Sequence, residues 1–384
     1  MRPGLAALFC LSLMAGSVFA QSQPPLPQQA AQPRDPIDPM VARKNAWTVG
    51  LASGQLEGLY PRFAAEIQKV LDDGDEMRIM PLLTYGSAAN IDDLTYMKGV
   101  DIALTQADVL AHLSQAMPNL NRRIRYIAPL YNTEVHILAR PEIRTIQDLS
   151  GKNVSFGPKD LGASITGPIV FDRLKITVTP QYLDHAMALE KLNAGEIQAI
   201  VRVVGKPAGE ILKVPKESGL HFVSIPYEDA SRNLFGDIYS LGELTSQDYP
   251  DLIPEGQVVD TLSVTAVLAV YNWAKGTDRY RRLERFTRYL FERFDGFLNP
   301  GFHPKWKEVN LAADVPGWTR FPAAEQKLRQ MTASSRDQAS ASRDFNAVVL
   351  SQGAQGQQNM DVLFQQFMNW RGRRGNAVDG LPTP

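Results

Sequence analysis

Cysteine is nearly absent from this sequence, because Cys10 is the only one in 384 residues. It lies in an N-terminal apolar run, Leu5–Met14, that follows Arg2 and precedes small residues, the features of a secretory signal over residues 1–20. Cleavage after Ala20 leaves a mature chain without thiols. We therefore expect an exported, periplasmic protein that has neither disulfides nor thiol catalysis.

Long apolar runs and an excess of one charge are also lacking. No apolar run after the signal is long enough to span a bilayer, and 40 basic residues nearly balance 41 acidic ones. A balanced chain has no extended basic surface for phosphate groups, so we predict no nucleic-acid partner and no membrane-surface binding.

Motifs for chemistry are missing as well. The histidines show neither HxxxH nor cysteine-paired spacing, and neither Ser53 nor Ser164 lies in a GxSxG turn. The glycine-rich loops lack the spacing of dinucleotide and phosphate loops. We predict that the protein is not an enzyme and has no metal and no cofactor, and we assign the histidines structural roles.

Residues 84–108 are the most informative stretch, since they predict a turn, a helix and a strand. Gly86 and Ser87 form the turn, with Ser87 as the side-chain cap of a helix that runs to a left-handed stop at Gly99. A strand of alternating character follows and ends at Gln106, where another helix begins. The apolar face of the first helix is predicted to contain Ile91, Leu94 and Met97.

A second stretch, residues 189–204, repeats this pattern. It contains a helix, a stop at Gly195 and a strand, and Arg202 occupies the offset that Gln106 has in the first copy. Two such units predict an α/β protein with two similar lobes. Polar side chains at the ends of the strands then face a shared crevice, which favours binding of a small molecule.

The folded part is predicted to begin at Trp47, after a flexible Pro/Gln-rich leader over residues 21–44. A strand leads to a loop with two glycines and to a helix that starts near Tyr60. Backbone amides at such a helix start can bind an anion. The buried face of this helix is predicted to contain Phe63, Ile67, Val70 and Leu71.

Short motifs in a fixed order then suggest a family. They are GLYP at Gly58, YGSAAN at Tyr85, GVDIALTQAD at Gly99, LYNTEVHILAR at Leu130, IQDLSGKNVSFGP at Ile146, YP at Tyr249, IPEG at Ile253 and VDTLSVTAVLAV at Val259. With them the chain resembles, over residues 47–330, the TAXI family of solute receptors. These are the periplasmic subunits of tripartite ATP-independent periplasmic (TRAP) transporters.

The resemblance implies a two-lobed, class II periplasmic-binding-protein fold. Each lobe has a mixed, mostly parallel sheet flanked by helices, and two chain crossings form the hinge. The implied lobe 1 comprises residues 45–131 plus 262–331, and lobe 2 comprises residues 132–261. From the residues themselves we expect a pair of strands, 124–132 and 134–140, with residues 131–134 between them. A tail over residues 332–384 lies outside the resemblance, and for it we expect either disorder or an amphipathic helix at 360–370 that docks on the body or on a partner.

One departure from the family occurs in lobe 2. The family has a Ser-Gly-Thr turn where this chain has Leu161, Gly162 and Ala163, so the first hydroxyl is missing while the backbone amides of a helix start remain. The implied partners are a small-molecule ligand and the TRAP membrane subunits, and the implied state is a monomer.

Several candidate ligand-binding residues also have an interpretation that involves no ligand. Ser87 and Asn90 bind a ligand or cap a helix, and Gln106 faces the pocket or holds a neighbouring loop. Arg202 binds a carboxylate, lies at the surface, or forms an ion pair with Glu196 or Asp101. The predicted ligand-binding set is Ser53, Gln55, Tyr60, Ser87, Asn90, Gln106, Tyr131, Gly162, Ala163, Ser164, Thr166 and Arg202.

The sequence thus predicts a TRAP receptor for a small organic anion, either a carboxylate or an acidic amino acid. Glu57 in the first loop either faces water or takes up an ammonium group, which is why an amino acid is included. The alternatives are a receptor of an ABC-type transporter, a periplasmic ligand sensor, and an enzyme on the same fold.

Overall fold

The computed structural model describes residues 38–226 and 234–334. The predicted signal, the first part of the predicted leader and the predicted helix at 360–370 lie outside the described residues. The end of the leader is helical, over Pro39–Ala46, which corrects the prediction of a flexible segment up to residue 44. This helix forms because Asp38 accepts a 2.7 Å hydrogen bond from the amide of Met40 and Pro39 takes the first helical position.

Eight α-helices have defined bounds in this part of the chain. They are α1 (Pro39–Ala46), α2 (Leu59–Leu71), α3 (Ser87–Tyr96), α4 (Ala107–Ala116), α5 (Leu120–Arg123), α6 (Ala163–Arg173), α7 (His185–Ala194) and α8 (Asp278–Glu292). Short 3₁₀ helices occur at Ile146–Leu149, Ile211–Lys213, Lys216–Ser218, Gly236–Ile238, Phe294–Leu298 and Pro304–Glu308. No helix in the described residues is both long enough and apolar enough to cross a membrane.

Ten strands of the described part of the chain form one mixed sheet. They are β1 (Thr48–Ala52), β2 (Arg78–Leu82), β3 (Ile102–Gln106), β4 (Ile124–Ala139), β5 (Asn153–Ser155), β6 (Thr179–Gln181), β7 (Ala199–Val204), β8 (His221–Phe222), β9 (Tyr239–Thr245) and β10 (Val258–Tyr271). The order along the sheet is β2-β1-β3-β10-β4-β7-β5-β6, with β8 beside β4 and β9 beside β10.

The repeat predicted from the sequence is present in the sheet. β3 pairs in parallel with β1 and antiparallel with the long strand β10. β7 in the same way pairs in parallel with β5 and antiparallel with the long strand β4. Gly195 ends α7 in the left-handed conformation, as predicted. The predicted α/β class, a mixed sheet with helices, is therefore confirmed, whereas the assignment of residues to two lobes stays a prediction.

The strand pair predicted at 124–132 and 134–140 is wrong, because both segments belong to the single strand β4. The first part of β4 pairs with β10 as far as Glu134, and from Glu134 onward β4 pairs with β7. Nearly all of its residues are buried, so the polar stretch at residues 131–134 is kept in the strand by its partners. The two long strands β4 and β10 thus connect the two parallel groups of strands.

Two details around β3 also correct the prediction. β3 does not alternate between core and solvent, because all five of its residues are buried between two hydrophobic clusters. α3 ends at Tyr96 rather than at Gly99, and Met97 is 55% exposed instead of lying on the buried face. Ile91 and Leu94 are buried as predicted.

The helix after the first loop matches its prediction closely. α2 carries Pro61 in its first turn, and Phe63, Ile67 and Leu71 are buried against the sheet. Val70 is only partly buried at the edge of the same cluster. Packing of this face fixes the start of α2, and with it the first glycine loop, near the ends of β1 and β3.

Candidate functional site

A cavity of about 70 Å³, here called the inner cavity, lies where the starts of several helices meet the ends of β3 and β7. Its lining contains residues from 45–131 and residues from 132–261, which the sequence assigns to different lobes. The lining consists of Gly54, Gln55, Gly58, Leu59, Tyr60, Pro61, Gly86, Ser87, Gln106, Tyr131, Thr133, Leu161, Gly162, Ala163, His185, Arg202, Val203, Val204 and Gly205.

Three helix N-termini border the inner cavity. The N-cap residues of α2, α3 and α6 are Gly58, Gly86 and Gly162, and all three belong to the lining. None of the three starts has a side-chain cap among the described residues. The positive ends of three helix dipoles therefore lie around the same small space, which favours a negatively charged occupant.

Two of these glycines allow the segments to approach closely. A Cβ atom on Gly162 would lie 1.6 Å from Oε1 of Gln106, and one on Gly86 would lie 2.6 Å from a methyl carbon of Leu161. The amide of Ala88 donates a 3.2 Å hydrogen bond to the carbonyl of Asp160 across the same contact. Side chains at the two glycine positions would push the walls of the cavity apart.

A hydrogen-bonded row of neutral groups forms one wall. The hydroxyl of Ser87 donates to Oε1 of Gln106 at 3.1 Å, and Nε2 of Gln106 donates to Thr133 at 3.1 Å. Thr133 in turn donates to the carbonyl of Val264 at 2.8 Å. The predicted helix cap at Ser87 is therefore wrong, because its hydroxyl is bonded to Gln106 and Gly86 is the N-cap. Gln106 both lines the cavity and holds its neighbours in place.

Arg202 supplies the positive charge of the inner cavity. Among the residues that the structure describes, it is the only lining residue with a permanently charged side chain, and it is 7% exposed. Its Nη2 lies 2.5 Å from Oε1 of Glu210, while its buried Nη1 has no hydrogen-bond partner in the described part of the chain. Burial lowers the pKa of the Arg202 guanidinium, and the nearby Glu210 and Glu57 oppose this shift.

The alternatives predicted for Arg202, a surface position and an ion pair with Glu196 or Asp101, are wrong, because the side chain is buried and has another partner. Glu196 pairs with Lys191, and Asp101 lies 3.3 Å from Arg279. Arg202 instead finds its partner in Glu210, just before the 3₁₀ helix Ile211–Lys213. The sequence pattern contains no signal for this pair, because it depends on the turn that follows β7.

Two more buried polar atoms without partners belong to the lining. The hydroxyl of Tyr131, a residue that is 1% exposed, and Nδ1 of His185 have no hydrogen-bond partner within 38–226 and 234–334. Burial raises the pKa of Tyr131 well above its ordinary value, so its hydroxyl remains protonated. Burial, with Arg202 nearby, lowers the pKa of His185 to about 3, so its ring is neutral at pH 7. Both side chains can hydrogen-bond a ligand.

Most residues of the predicted set line the inner cavity. These are Gln55, Tyr60, Ser87, Gln106, Tyr131, Gly162, Ala163 and Arg202. The phenol of Tyr60 donates a 2.8 Å hydrogen bond to the carbonyl of Thr105, which keeps its ring against the wall. Their ligand-binding role stays a prediction, but the structure brings them together.

Four predicted residues are not in the lining, and their polar groups are bonded within the protein. Ser53 donates to the carbonyl of Leu82 at 2.7 Å, and Ser164 donates to the carbonyl of Leu161 at 2.8 Å. Nδ2 of Asn90 lies 2.6 Å from the carbonyls of both Ser53 and Leu104. Thr166 donates to Asp108 at 2.6 Å. These side chains hold the elements that surround the cavity.

Sequence reasoning missed His185, Thr133 and Glu210. The five histidines were assigned structural roles, although His185 is the first residue of α7, directly after an aspartate that caps the helix. That position places it beside the inner cavity. Thr133 lies inside β4, where a break between strands was predicted, so its contact with Gln106 was not expected.

A second, larger cavity adjoins the first. This outer chamber has a volume of about 490 Å³ and shares Gln55, His185 and Arg202 with the inner cavity. The rest of its lining is Glu57, Leu138, Pro158, Asp184, Ala186, Leu189, Ile200, Glu210, Ile211, Lys213 and Val214. Arg202 therefore lies between two connected spaces of different character.

The arrangement is suited to binding an anion. Neutral donors, one guanidinium and helix N-termini surround the inner cavity, and an ionised carboxylate accepts hydrogen bonds from all of these groups. The described residues contain no group of three or more His, Cys, Asp or Glu side chains that could hold a metal ion.

Comparison with solved structures finds distant neighbours. An ancestral arginine-binding protein bound to arginine has 16% identity and a TM-score of 0.41, covering 68% of this chain and 97% of that chain. The substrate-binding protein of an amino acid ABC transporter has 12% identity and a TM-score of 0.40, covering 68% and 96%. The BenM effector-binding domain with benzoate has 15% identity and a TM-score of 0.38, covering 66% and 96%.

A family model gives the stronger assignment. The model of the NMT1-like family matches residues 53–318, which include every residue of the inner cavity and both long strands. The narrower TAXI assignment stays a prediction. By the extent of this match, the chain belongs to the NMT1-like family.

Proposed function

We propose that this chain is the extracytoplasmic solute receptor of a TRAP transporter, and that it binds a small organic anion in the inner cavity. The ligand is a carboxylate or an acidic amino acid. The observation that carries the proposal concerns residues 38–226 and 234–334. Within them, three helix N-termini without side-chain caps converge on a cavity whose one permanently charged lining residue is Arg202.

The energetics favour an anionic occupant. A charge near a helix N-terminus gains about 0.3–1 kcal/mol, and a hydrogen bond to a charged group gains about 1.5–3 kcal/mol. A buried donor without a partner costs about 1–3 kcal/mol. Nη1 of Arg202 and the hydroxyl of Tyr131 are such donors in the described residues, so a carboxylate would relieve both penalties.

The position of the cavity suits a receptor that closes on its ligand. Its walls come from residues on both sides of β4, and β4 and β10 are the long strands that connect the two parallel groups. Ligand contacts made only in the closed state shift the population toward closure. Delivery to TRAP membrane subunits rests on the sequence motifs, and closure provides the surface that those subunits would recognise.

Calorimetry of the full-length chain with acetate, succinate and L-glutamate tests the ligand class. Arg202→Ala should weaken the best carboxylate by about 10- to 150-fold, the equivalent of a charge-assisted hydrogen bond. Arg144→Ala is the matched control, because Arg144 is exposed and outside both cavities, so it removes the same charge without touching the site. Equal affinities for the wild type and Arg202→Ala would refute the proposed site.

The transporter assignment has a separate test. Genes beside this one should encode TRAP membrane subunits, and uptake of the ligand by membranes that contain those subunits should require this protein and an ion gradient. A neighbouring ATPase gene, or uptake driven by ATP, would assign the receptor to an ABC-type transporter instead. A turnover assay with the bound compound should show no product.

A further inference from the structure

The inner cavity is small for the pocket of an organic ligand larger than acetate. Its volume is about 70 Å³, whereas pockets that enclose drug-sized ligands have about 300–1,000 Å³. A carboxylate group with its first carbon fills such a space. Pockets that enclose complete small molecules are larger, so the remainder of a ligand must extend into a neighbouring space.

The outer chamber is that neighbouring space, and it is largely apolar. It shares Arg202, Gln55 and His185 with the inner cavity, so a ligand held at Arg202 has direct access to it. Leu138, Ile200, Ile211 and Val214 line it and belong to one hydrophobic cluster. Carbon atoms of a ligand that enter this chamber exchange contact with water for contact with aliphatic side chains, which is favourable.

The charges of the outer chamber disfavour a second carboxylate. Glu57, Asp184 and Glu210 line it, against Lys213 and the shared Arg202, which is already paired with Glu210. Oε1 of Glu210 is paired with Nη2 of Arg202 at 2.5 Å, and the buried Oε2 has no hydrogen-bond partner in the described chain. A negatively charged group in this chamber would therefore meet net like charge in a partly desolvated environment.

From this geometry we propose that the receptor selects monocarboxylates with an apolar body. The carboxylate occupies the inner cavity beside Nη1 of Arg202, and the apolar body occupies the outer chamber. This inference rests on the proposed function, because it requires the carboxylate to bind in the inner cavity. It narrows the ligand class to amphipathic monocarboxylates, and of the two ligands proposed above it favours the carboxylate over the acidic amino acid, which carries a second carboxylate.

A matched ligand series tests the inference by calorimetry on the full-length chain. Acetate, butanoate and hexanoate should bind with affinity that rises about fourfold for each buried methylene. Hexanedioate, which has the same number of carbon atoms as hexanoate and a second carboxylate, should bind at least about tenfold more weakly than hexanoate. Equal affinity for acetate and hexanoate, or tighter binding of hexanedioate, would overturn the inference.

A pair of variants tests whether the outer chamber causes the rise in affinity from acetate to hexanoate. Ala186 lies in the first turn of α7, is exposed, and lines the chamber, so Ala186→Trp should fill it without disturbing the core. This variant should lower the hexanoate-to-acetate affinity ratio at least tenfold. Met187→Trp is the control, since Met187 is the next residue, is 44% exposed, and is not in the lining. Equal ratios in the two variants would refute the assignment.

The outcomes also separate this inference from the proposed function. If acetate and hexanoate bind equally and both depend on Arg202, the anion site stands and the outer chamber has no role in selection. If no monocarboxylate or dicarboxylate binds, and thermal unfolding is unchanged by all of them, both the proposed function and the inference are wrong.

Discussion

The hydroxyl of Thr166 donates a 2.6 Å hydrogen bond to Oδ2 of Asp108, although 58 positions separate the two residues in the sequence. The hydroxyl of Tyr239 donates to the same oxygen at 2.8 Å. Asp108 lies at the start of α4 and is 2% exposed. The buried carboxyl group of Asp108 in α4 thus joins this helix to α6, which contains Thr166, and to β9, which contains Tyr239.

The first prediction concerns the pH dependence of stability at Asp108. Burial raises its pKa, and the hydrogen bonds from Thr166 and Tyr239 only partly oppose this. The native state then holds the proton more tightly than the unfolded state. The resulting stabilisation is fully present below about pH 3.9 and is lost as the pH rises through the raised pKa.

Asp108→Asn removes this titration, so its free energy of unfolding relative to the wild type should increase as the pH rises from 4 to 8. Urea unfolding at several pH values measures the difference. Thr166→Val keeps the carboxyl group and removes one donor, so its deficit of about 1.5–3 kcal/mol should be present at pH 7. A wild type and Asp108→Asn with parallel pH profiles would contradict the prediction.

The second prediction concerns Glu210, the partner of Arg202. Glu210→Gln leaves the buried guanidinium without its counter-charge, so the unliganded protein should lose about 1–3 kcal/mol of stability. The same change removes a negative charge next to the proposed ligand carboxylate, so affinity for it should rise about fivefold. Urea unfolding and calorimetry measure the two effects, and a fall in affinity would contradict the model of the site.

The third prediction concerns the close approach at Gly162. Because a Cβ atom there would lie 1.6 Å from Oε1 of Gln106, Gly162→Ala must displace the glutamine from Ser87 and Thr133. We expect a loss of about 1–3 kcal/mol in stability and at least tenfold weaker carboxylate binding.

Gly209→Ala is the control for this variant. An added Cβ at Gly209 would have no described atom within 4 Å, so stability should change by less than about 1 kcal/mol. The prediction is wrong if both variants bind the carboxylate as tightly as the wild type does, as measured by calorimetry.

The fourth prediction concerns a buried ion pair beneath the site. Nζ of Lys305 lies 2.8 Å from Oε1 of Glu134, and both side chains are almost completely buried. Burial raises the pKa of Glu134, and Lys305 opposes the shift. Lys305→Met should destabilise the fold by about 3–5 kcal/mol, because the buried carboxylate loses its counter-charge and keeps only the hydrogen bond from the amide of Lys206.

The pH dependence of stability and a double variant check whether the buried charge of Glu134 causes the destabilisation in Lys305→Met. In Lys305→Met the pKa of Glu134 should rise further, so the deficit in urea unfolding should be larger at pH 8 than at pH 5. Glu134→Gln combined with Lys305→Met should recover at least half of the loss. A double variant that is no more stable than Lys305→Met would show that lost packing, and not the buried charge, is responsible.

Local patterns predicted much of the fold. The helix starts near Tyr60 and Ala107, the left-handed stop at Gly195 and the strand over Ala199–Val204 follow from short-range signals. Such signals are reliable because helix periodicity and positive φ at glycine depend on neighbours within one or two turns. The repeat between residues 84–108 and 189–204 also correctly indicated two equivalent α/β units in the sheet.

Errors occurred where distant partners decide the local structure. Polar residues 131–134 remain inside β4 because β10 and β7 bond to it in succession. Ser87 does not cap α3, because Gln106 lies within reach of its hydroxyl. Met97 is exposed because α3 ends one residue earlier. Each case needs a contact between residues far apart in the sequence, or the exact end of an element.

By itself, the sequence determined an α/β protein with a repeated helix–stop–strand unit, a family motif order, and the residue types that a polar binding site requires. Only the tertiary structure decided which of these side chains share a cavity, that Arg202 pairs with Glu210, and that His185 and an apolar chamber adjoin it. The physical reason is that helix and strand periodicity act over a few residues, whereas burial and the lack of a hydrogen-bond partner depend on what the whole chain places around each atom.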